Sequence, residues 1–185
     1  QERFRQLEQG IQRAQRLVDQ LLRLSRQEAV TGDAAPTEVD VSAVLRESIN
    51  GLIVLADQRR IDLGLLPTTV TSAPLRCPAA DLRSVVDNLI ENALRYTPEG
   101  GVVDVRLAQE GGKLVVEVID SGPGIPPELM ERVFDRFFRV PGTGARGSGL
   151  GLAIARSAAQ RCGLRISLRN RDDASSGLVA RVETA

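Results

Sequence analysis

The sequence contains no histidine and no tryptophan, one tyrosine and four phenylalanines. Any chemistry that needs an imidazole has to find it outside these 185 residues. Aromatic residues make up 3% of the chain and hydrophobic residues 42%, so a core of useful size can form but must be aliphatic. Lys113 is the only lysine, which leaves almost all positive charge to arginine, and the 24 basic side chains are matched by 24 acidic ones. That balance argues against nucleic acid or an anionic membrane surface as a partner. Cys77 and Cys162 lack the paired spacing of a zinc site or a disulfide framework, and read as reduced thiols in a cytosolic setting. No apolar run approaches the roughly 18 residues that span a bilayer, and no leader pattern opens the chain. The chain reads as soluble. It starts at Gln1, inside a helical pattern, and so reads as a piece of a longer protein.

Periodicity divides what is present. Phe4, Leu7, Ile11, Ala14, Val18, Leu21 and Ser25 step by three and four, the a/d rhythm of a coiled-coil seam, which predicts a long helix over residues 1–30. Such a stripe cannot be buried by one helix and predicts a bundle, formed as a hairpin or between chains. Residues 31–40, TGDAAPTEVD, read as a linker by composition. From residue 41 to 185 the pattern predicts an α+β domain, a two-layer sandwich with a mixed sheet. Its elements are a helix at Val41–Gln58, short strands near Ile61–Leu65 and Ala73–Cys77, a helix at Asp81–Tyr96, a hairpin over residues 101–120, a helix near Gly149–Cys162, and strands at Leu164–Arg169 and Leu178–Val182.

Three stretches carry candidate chemistry. In DNLIENALRYTPEG, residues 87–100, two amides sit mid-helix, where asparagine has weak propensity. Asn88 and Asn92 are four apart, so both can reach one polar object from the same helix face. The strand ending VVEVID runs straight into SGPGIPPE, so Asp120 stands at a strand terminus, with Gly122 and Gly124 letting the backbone approach a flat ligand. A tight turn after a strand has the same pattern. Gly142, Gly144, Gly147, Gly149 and Gly151 lead into a helix starting near Leu150, whose backbone N–H groups favour phosphate. No Gly-Lys-Ser/Thr follows, which excludes a Walker loop, and the hairpin pattern disfavours a dinucleotide fold.

Taken in order, NLIENALRYT, DSGPGI, VFDRFFRV and GSGLGLAI resemble the boxes of the catalytic ATP-binding domain of bacterial sensor histidine kinases, in the superfamily shared with gyrase and the heat-shock chaperones. The resemblance covers about residues 40–185 and implies the Bergerat-type ATP-binding fold. The N-terminal stretch is similar to the second helix of the family's dimerisation and phosphotransfer hairpin, whose preceding helix carries the acceptor histidine. The implied cofactors are ATP and Mg²⁺. Asn92 would ligate the metal, Asn88 and Arg95 would lie near the phosphates, and Tyr96 would pack on the adenine. Asp120 would accept from the adenine amine, with Gly122 and Gly124 shaping the pocket. Gly147, Gly149, Leu150 and Gly151 would meet phosphates at the helix start, and residues 139–148 would form a lid anchored by Phe134, Phe137 and Phe138. Arg136 and Arg139 would be candidates for γ-phosphate contacts. The implied partners are a second copy, through the helical hairpin, and a response-regulator receiver domain, on the cytoplasmic side of a membrane protein whose spanning segments lie upstream.

Relatives that hydrolyse ATP carry a glutamate one turn before the metal ligand, and Asn88 stands there instead. An amide cannot accept a proton, which favours phosphoryl transfer over hydrolysis. Two further readings remain: a serine kinase of the anti-sigma-factor type, against which the heptad stands, and a module that binds nucleotide or a partner without catalysis.

Overall fold

The computed structural model describes residues 35–70, 72–141, 147–172 and 176–185. The helix expected over residues 1–30 and the start of the expected linker lie outside the described residues, as do Gly142, Gly144 and the centre of the expected lid. Thr37–Asp40, placed in the linker by composition, is a strand, β1, paired antiparallel with β3, Pro74–Cys77. Four residues with one large apolar side chain show no alternation, so only the partner reveals the strand.

Asp40 ends β1 and caps α1, Val41–Gln58: its Oδ1 accepts from the Ser42 N–H at 3.2 Å and from the Ala73 N–H at 3.1 Å. The Ala73 hydrogen bond is the main cause that holds this carboxyl below its ordinary range. After β2, Asp62–Leu65, and β3 comes α2, Ala79–Tyr96, which buries Leu82, Val85, Val86, Leu89, Ile90, Ala93 and Leu94. The hairpin of β4, Val102–Glu110, and β5, Lys113–Asp120, turns at Gly111–Gly112 as its sequence predicts. Two short 3₁₀ turns, Pro127–Leu129 and Arg132–Phe134, precede α3, Gly151–Arg161. The chain closes on β6, Leu164–Asn170, and β7, Leu178–Thr184.

The main sheet has the order β2-β4-β5-β7-β6, with β2 parallel to β4 and the other pairs antiparallel, so it is the mixed sheet expected. β5 lies at its centre. α2 packs against α1 and α3 and covers β4 and β5. The core between the layers is aliphatic, and Phe134 is the one buried aromatic among the described residues. On the opposite face, the buried Glu117 is held between Arg106 at 2.7 Å and Arg181 at 3.2 Å. A buried acid is tolerated there because both of its oxygens are engaged.

Cys77 and Cys162, remote in sequence, are brought together in this core as free, buried thiols. Burial raises the pKa of each. Beside them the fully buried Asp81, in the first turn of α2, takes a bidentate pair from Arg161 at the end of α3, at 2.7 and 2.9 Å.

Candidate functional site

Helix α2 keeps its two amides for different reasons. The Asn88 Nδ2 donates back to the Ser84 carbonyl at 2.8 Å, a bond to residue i−4 that satisfies the amide locally. This bond fixes which way the amide points, and its Oδ1 faces Gly151, where a Cβ would sit 3.4 Å away. Asn92, one turn on, lines an open cleft with Arg95 and Tyr96. Glu91 is half-buried and does not line that cleft.

The other wall begins at the end of the central strand. Asp120 is only 6% exposed, and its Oδ1 accepts from two backbone donors, the Gly122 N–H at 2.8 Å and the Leu178 N–H at 3.1 Å. No hydrogen bond to its Oδ2 is made by the described residues, and Asp120 lines the cleft. Burial is the largest influence on this carboxyl and raises its pKa, against the lowering effect of the two backbone donors and of Arg171. Gly122 is buried behind the carboxylate, where a Cβ would meet the Asp120 Oδ1 at 2.9 Å and the Tyr96 carbonyl oxygen at 3.1 Å. Gly124, at φ +74°, lines the cleft beside Pro123 and Ile125.

The third side joins two segments far apart in their motifs. The Phe137 N–H donates to the Gly149 carbonyl at 2.9 Å. Gly149 has φ +73°, and a Cβ there would come within 2.7 Å of the Phe137 and Phe138 backbones. The glycine is required twice over, by conformation and by space. The three phenylalanines divide: Phe134 is core, Phe138 packs on the core and lines the cleft, and Phe137 is 59% exposed with φ +66°. Arg132 lies over the Phe138 ring at 4.5 Å and Arg156 over the Phe134 ring at 4.9 Å.

These walls border a cleft of about 670 Å³ that is open to solvent. Of the residues singled out in the sequence, Asn92, Arg95, Tyr96, Asp120, Gly124, Phe138, Arg139, Gly149 and Gly151 line it. Gly147 lies against the Arg95 guanidinium, where a Cβ would be 2.7 Å from Nη1, and Leu150 is buried as the N-cap residue of α3. Asn88 and Arg136 are not in the wall, and Arg136 is exposed. Sequence reasoning missed the apolar walls, Ile125, Val133, Val140, Leu152 and Leu178. The last arrives from β7, and no local pattern could announce it.

Among the described residues no three His, Cys, Asp or Glu side chains cluster as a metal cage. The donors suit a different arrangement: one amide oxygen at Asn92, beside a basic residue and the glycine-rich start of a helix, fits a hard cation that keeps its waters and shares a phosphate. A half-engaged carboxylate and a glycine-rich helix start on the same cleft fit a nucleoside triphosphate.

A family model described as histidine kinase-, DNA gyrase B- and HSP90-like ATPase matches residues 78–184. The sensor protein QseC of Escherichia coli (strain K12) is 39% identical over 165 residues, which are 89% of this chain and 36% of that protein. The sensor protein CreC of the same strain is 34% identical over 159 residues, 85% of this chain and 33% of that one. The chain thus spans about a third of the length of these relatives. A solved structure of the mycobacterial sensor histidine kinase MprB superposes with a TM-score of 0.69 at 31% identity, covering 80% of this chain and 96% of that one. The cytoplasmic segment of histidine kinase QseC superposes with a TM-score of 0.60 at 29% identity, covering 95% and 94%. A family match over most of the described domain, on the mixed sheet and cleft built above, makes this chain a member of the histidine kinase-, DNA gyrase B- and HSP90-like ATPase family.

Proposed function

We propose that this chain is the catalytic domain of a sensor histidine kinase: it binds Mg²⁺·ATP and delivers the γ-phosphoryl group to a histidine on a helical dimerisation domain, for relay to an aspartate of a response regulator. The observation that carries this reading is Asp120, whose Oδ1 is fixed by two backbone N–H groups at the end of the central strand while its Oδ2 remains for an exocyclic amine. Tyr96 and the Gly122–Gly124 loop then flank the base. Asn92 offers its amide oxygen to the cation, and Arg95, Arg139 and the backbone from Gly147 to Gly151 face the phosphates. The bound cation supplies charge neutralisation of the phosphates.

The helix supports transfer rather than hydrolysis. Asn88 stands one turn before Asn92 with its Nδ2 held by the Ser84 carbonyl, and an amide at that place is too weak a base to take a proton from water. The partners in this reading are a second copy, met through the heptad at residues 4–25, and a receiver domain. The setting is the cytoplasmic part of a membrane sensor, and among the described residues no helix is long and apolar enough to cross a membrane.

Substitution at Asn92 tests the reading. Asn92→Ala should weaken Mg²⁺·ATP by roughly 10-fold or more while leaving metal-free ATP within about 2-fold, because the lost contact is to the ion. Equal losses with and without Mg²⁺ in a calorimetric titration would make Asn92 a structural residue and sink the assignment.

A further inference from the structure

Asn170, the last residue of β6, belongs to none of the sequence boxes and does not line the cleft. Yet its side chain holds the loop that does. The Asn170 Nδ2 donates to the Ile125 carbonyl at 2.8 Å, and its Oδ1 accepts from the Ile125 N–H at 2.8 Å. One side-chain amide thus satisfies both backbone groups of a loop residue, as a neighbouring strand would. Gly124 lies directly beneath, where a Cβ would be 2.6 Å from the Asn170 Oδ1. The next residues continue the attachment. The Arg171 N–H donates to the Gly177 carbonyl at 3.0 Å, and the Leu178 N–H reaches the Asp120 Oδ1 at 3.1 Å. Carboxylate and glycine loop are therefore both held from the β6–β7 side, the one by backbone and the other by Asn170.

The geometry points to Asn170 as the positioning residue of the base-binding loop: it fixes Gly124 and Ile125 in the cleft wall before nucleotide arrives, so that binding does not have to order them. Ordering a loop during binding subtracts from affinity, and an amide clamp removes that cost in advance. The inference rests on the reading of the cleft as a nucleotide pocket with Asp120 towards the base.

The test uses the full chain with Asn170→Ala, which removes both bonds, and the near-isosteric Asn170→Asp, which keeps the acceptor for the Ile125 N–H but sets a carboxylate against the Ile125 carbonyl. In the nucleotide-free protein the Ile125 amide should exchange slowly with solvent, and roughly 10-fold faster or more in either variant. ATP and ADP affinity should fall together by roughly 3- to 30-fold, the yield of one or two neutral hydrogen bonds. The factor should be the same with and without Mg²⁺, because the loop meets the base. Fast Ile125 exchange in the unmodified protein overturns the clamp, whether or not either variant folds. Accelerated exchange with unchanged affinity overturns its positioning role, as does a loss confined to ATP. Asp120→Asn is measured alongside: if it too binds ATP unchanged, the pocket reading itself fails, whereas a loss there without one at Asn170 removes only this inference.

Discussion

Burial pushes the Asp120 carboxyl up, and the two backbone donors with Arg171 only partly offset it. A raised folded-state pKa means that the fold favours the protonated acid: that stability is present below the ordinary carboxylate range and is lost as pH rises through the raised value. At neutral pH the charge is thus retained against folding stability, as expected of a side chain kept for a ligand. Asp120→Asn removes the charge and still presents Oδ1 to the Gly122 and Leu178 N–H groups. Its melting temperature at pH 7 should be unchanged or up to about 4 °C higher. Its ATP affinity should fall by about 1–3 kcal/mol, or roughly 5- to 150-fold, because an amide donor now faces the adenine amine. Melting curves and calorimetry read the two effects separately, and a variant that melts lower yet binds normally would make Asp120 structural. The residue scale also shows what spacing leaves open. Asn88 and Asn92 share a helix face, as their separation predicts, but only Asn92 enters the cleft wall. Asn88 found a nearer partner in the Ser84 carbonyl, and such a local bond leaves no trace in hydrophobic periodicity.

Among the elements, those with a strong period were legible. Val41–Gln58 and the hairpin around Gly111–Gly112 form where the sequence places them, and α2 differs only in starting at Ala79, after Pro78. What escaped was set by distant partners: β1 exists through β3, Cys77 meets Cys162, and Asn170 and Leu178 reach the loop after β5. Pairing between remote segments has no period and no composition of its own. The junction of the phenylalanine loop with the start of α3 separates two glycines that look alike in GSGLGLAI. Gly149→Ala forces a side chain into φ +73° and onto the Phe137 and Phe138 backbones, and should cost about 2–5 kcal/mol of stability together with nucleotide binding. At Gly151 a Cβ would lie 3.4 Å from the Asn88 Oδ1, an ordinary contact. Gly151→Ala should stay within about 1 kcal/mol of the parent stability while narrowing the cleft and weakening ATP. Denaturant melts of the two variants decide this, and equal stabilities would show that the junction does not hold Gly149.

For the whole molecule, the site depends on the strand order more than on any single motif. β5 occupies the sheet centre, so the loop after Asp120 can be met by α2 on one side and by the β6–β7 connection on the other. Residues from Asn92 to Leu178 therefore share one cleft. In the proposed reading that cleft presents nucleotide to a histidine elsewhere, since the 185 residues contain none. By itself the chain should bind Mg²⁺·ATP, incorporate no acid-labile phosphate from γ-labelled ATP, and hydrolyse ATP slowly, because Asn88 cannot act as a general base. Extending the chain upstream by a helix that carries a histidine should restore labelling. The heptad face from Phe4 to Leu21 would then have a partner, and tethering through the residues before β1 would make acceptor and donor effectively intramolecular. Strong labelling of the 185 residues alone, or rapid hydrolysis, would mean that the acceptor or the base has been misidentified. An extended chain that binds ATP normally yet stays unlabelled would leave a nucleotide-binding module without catalysis.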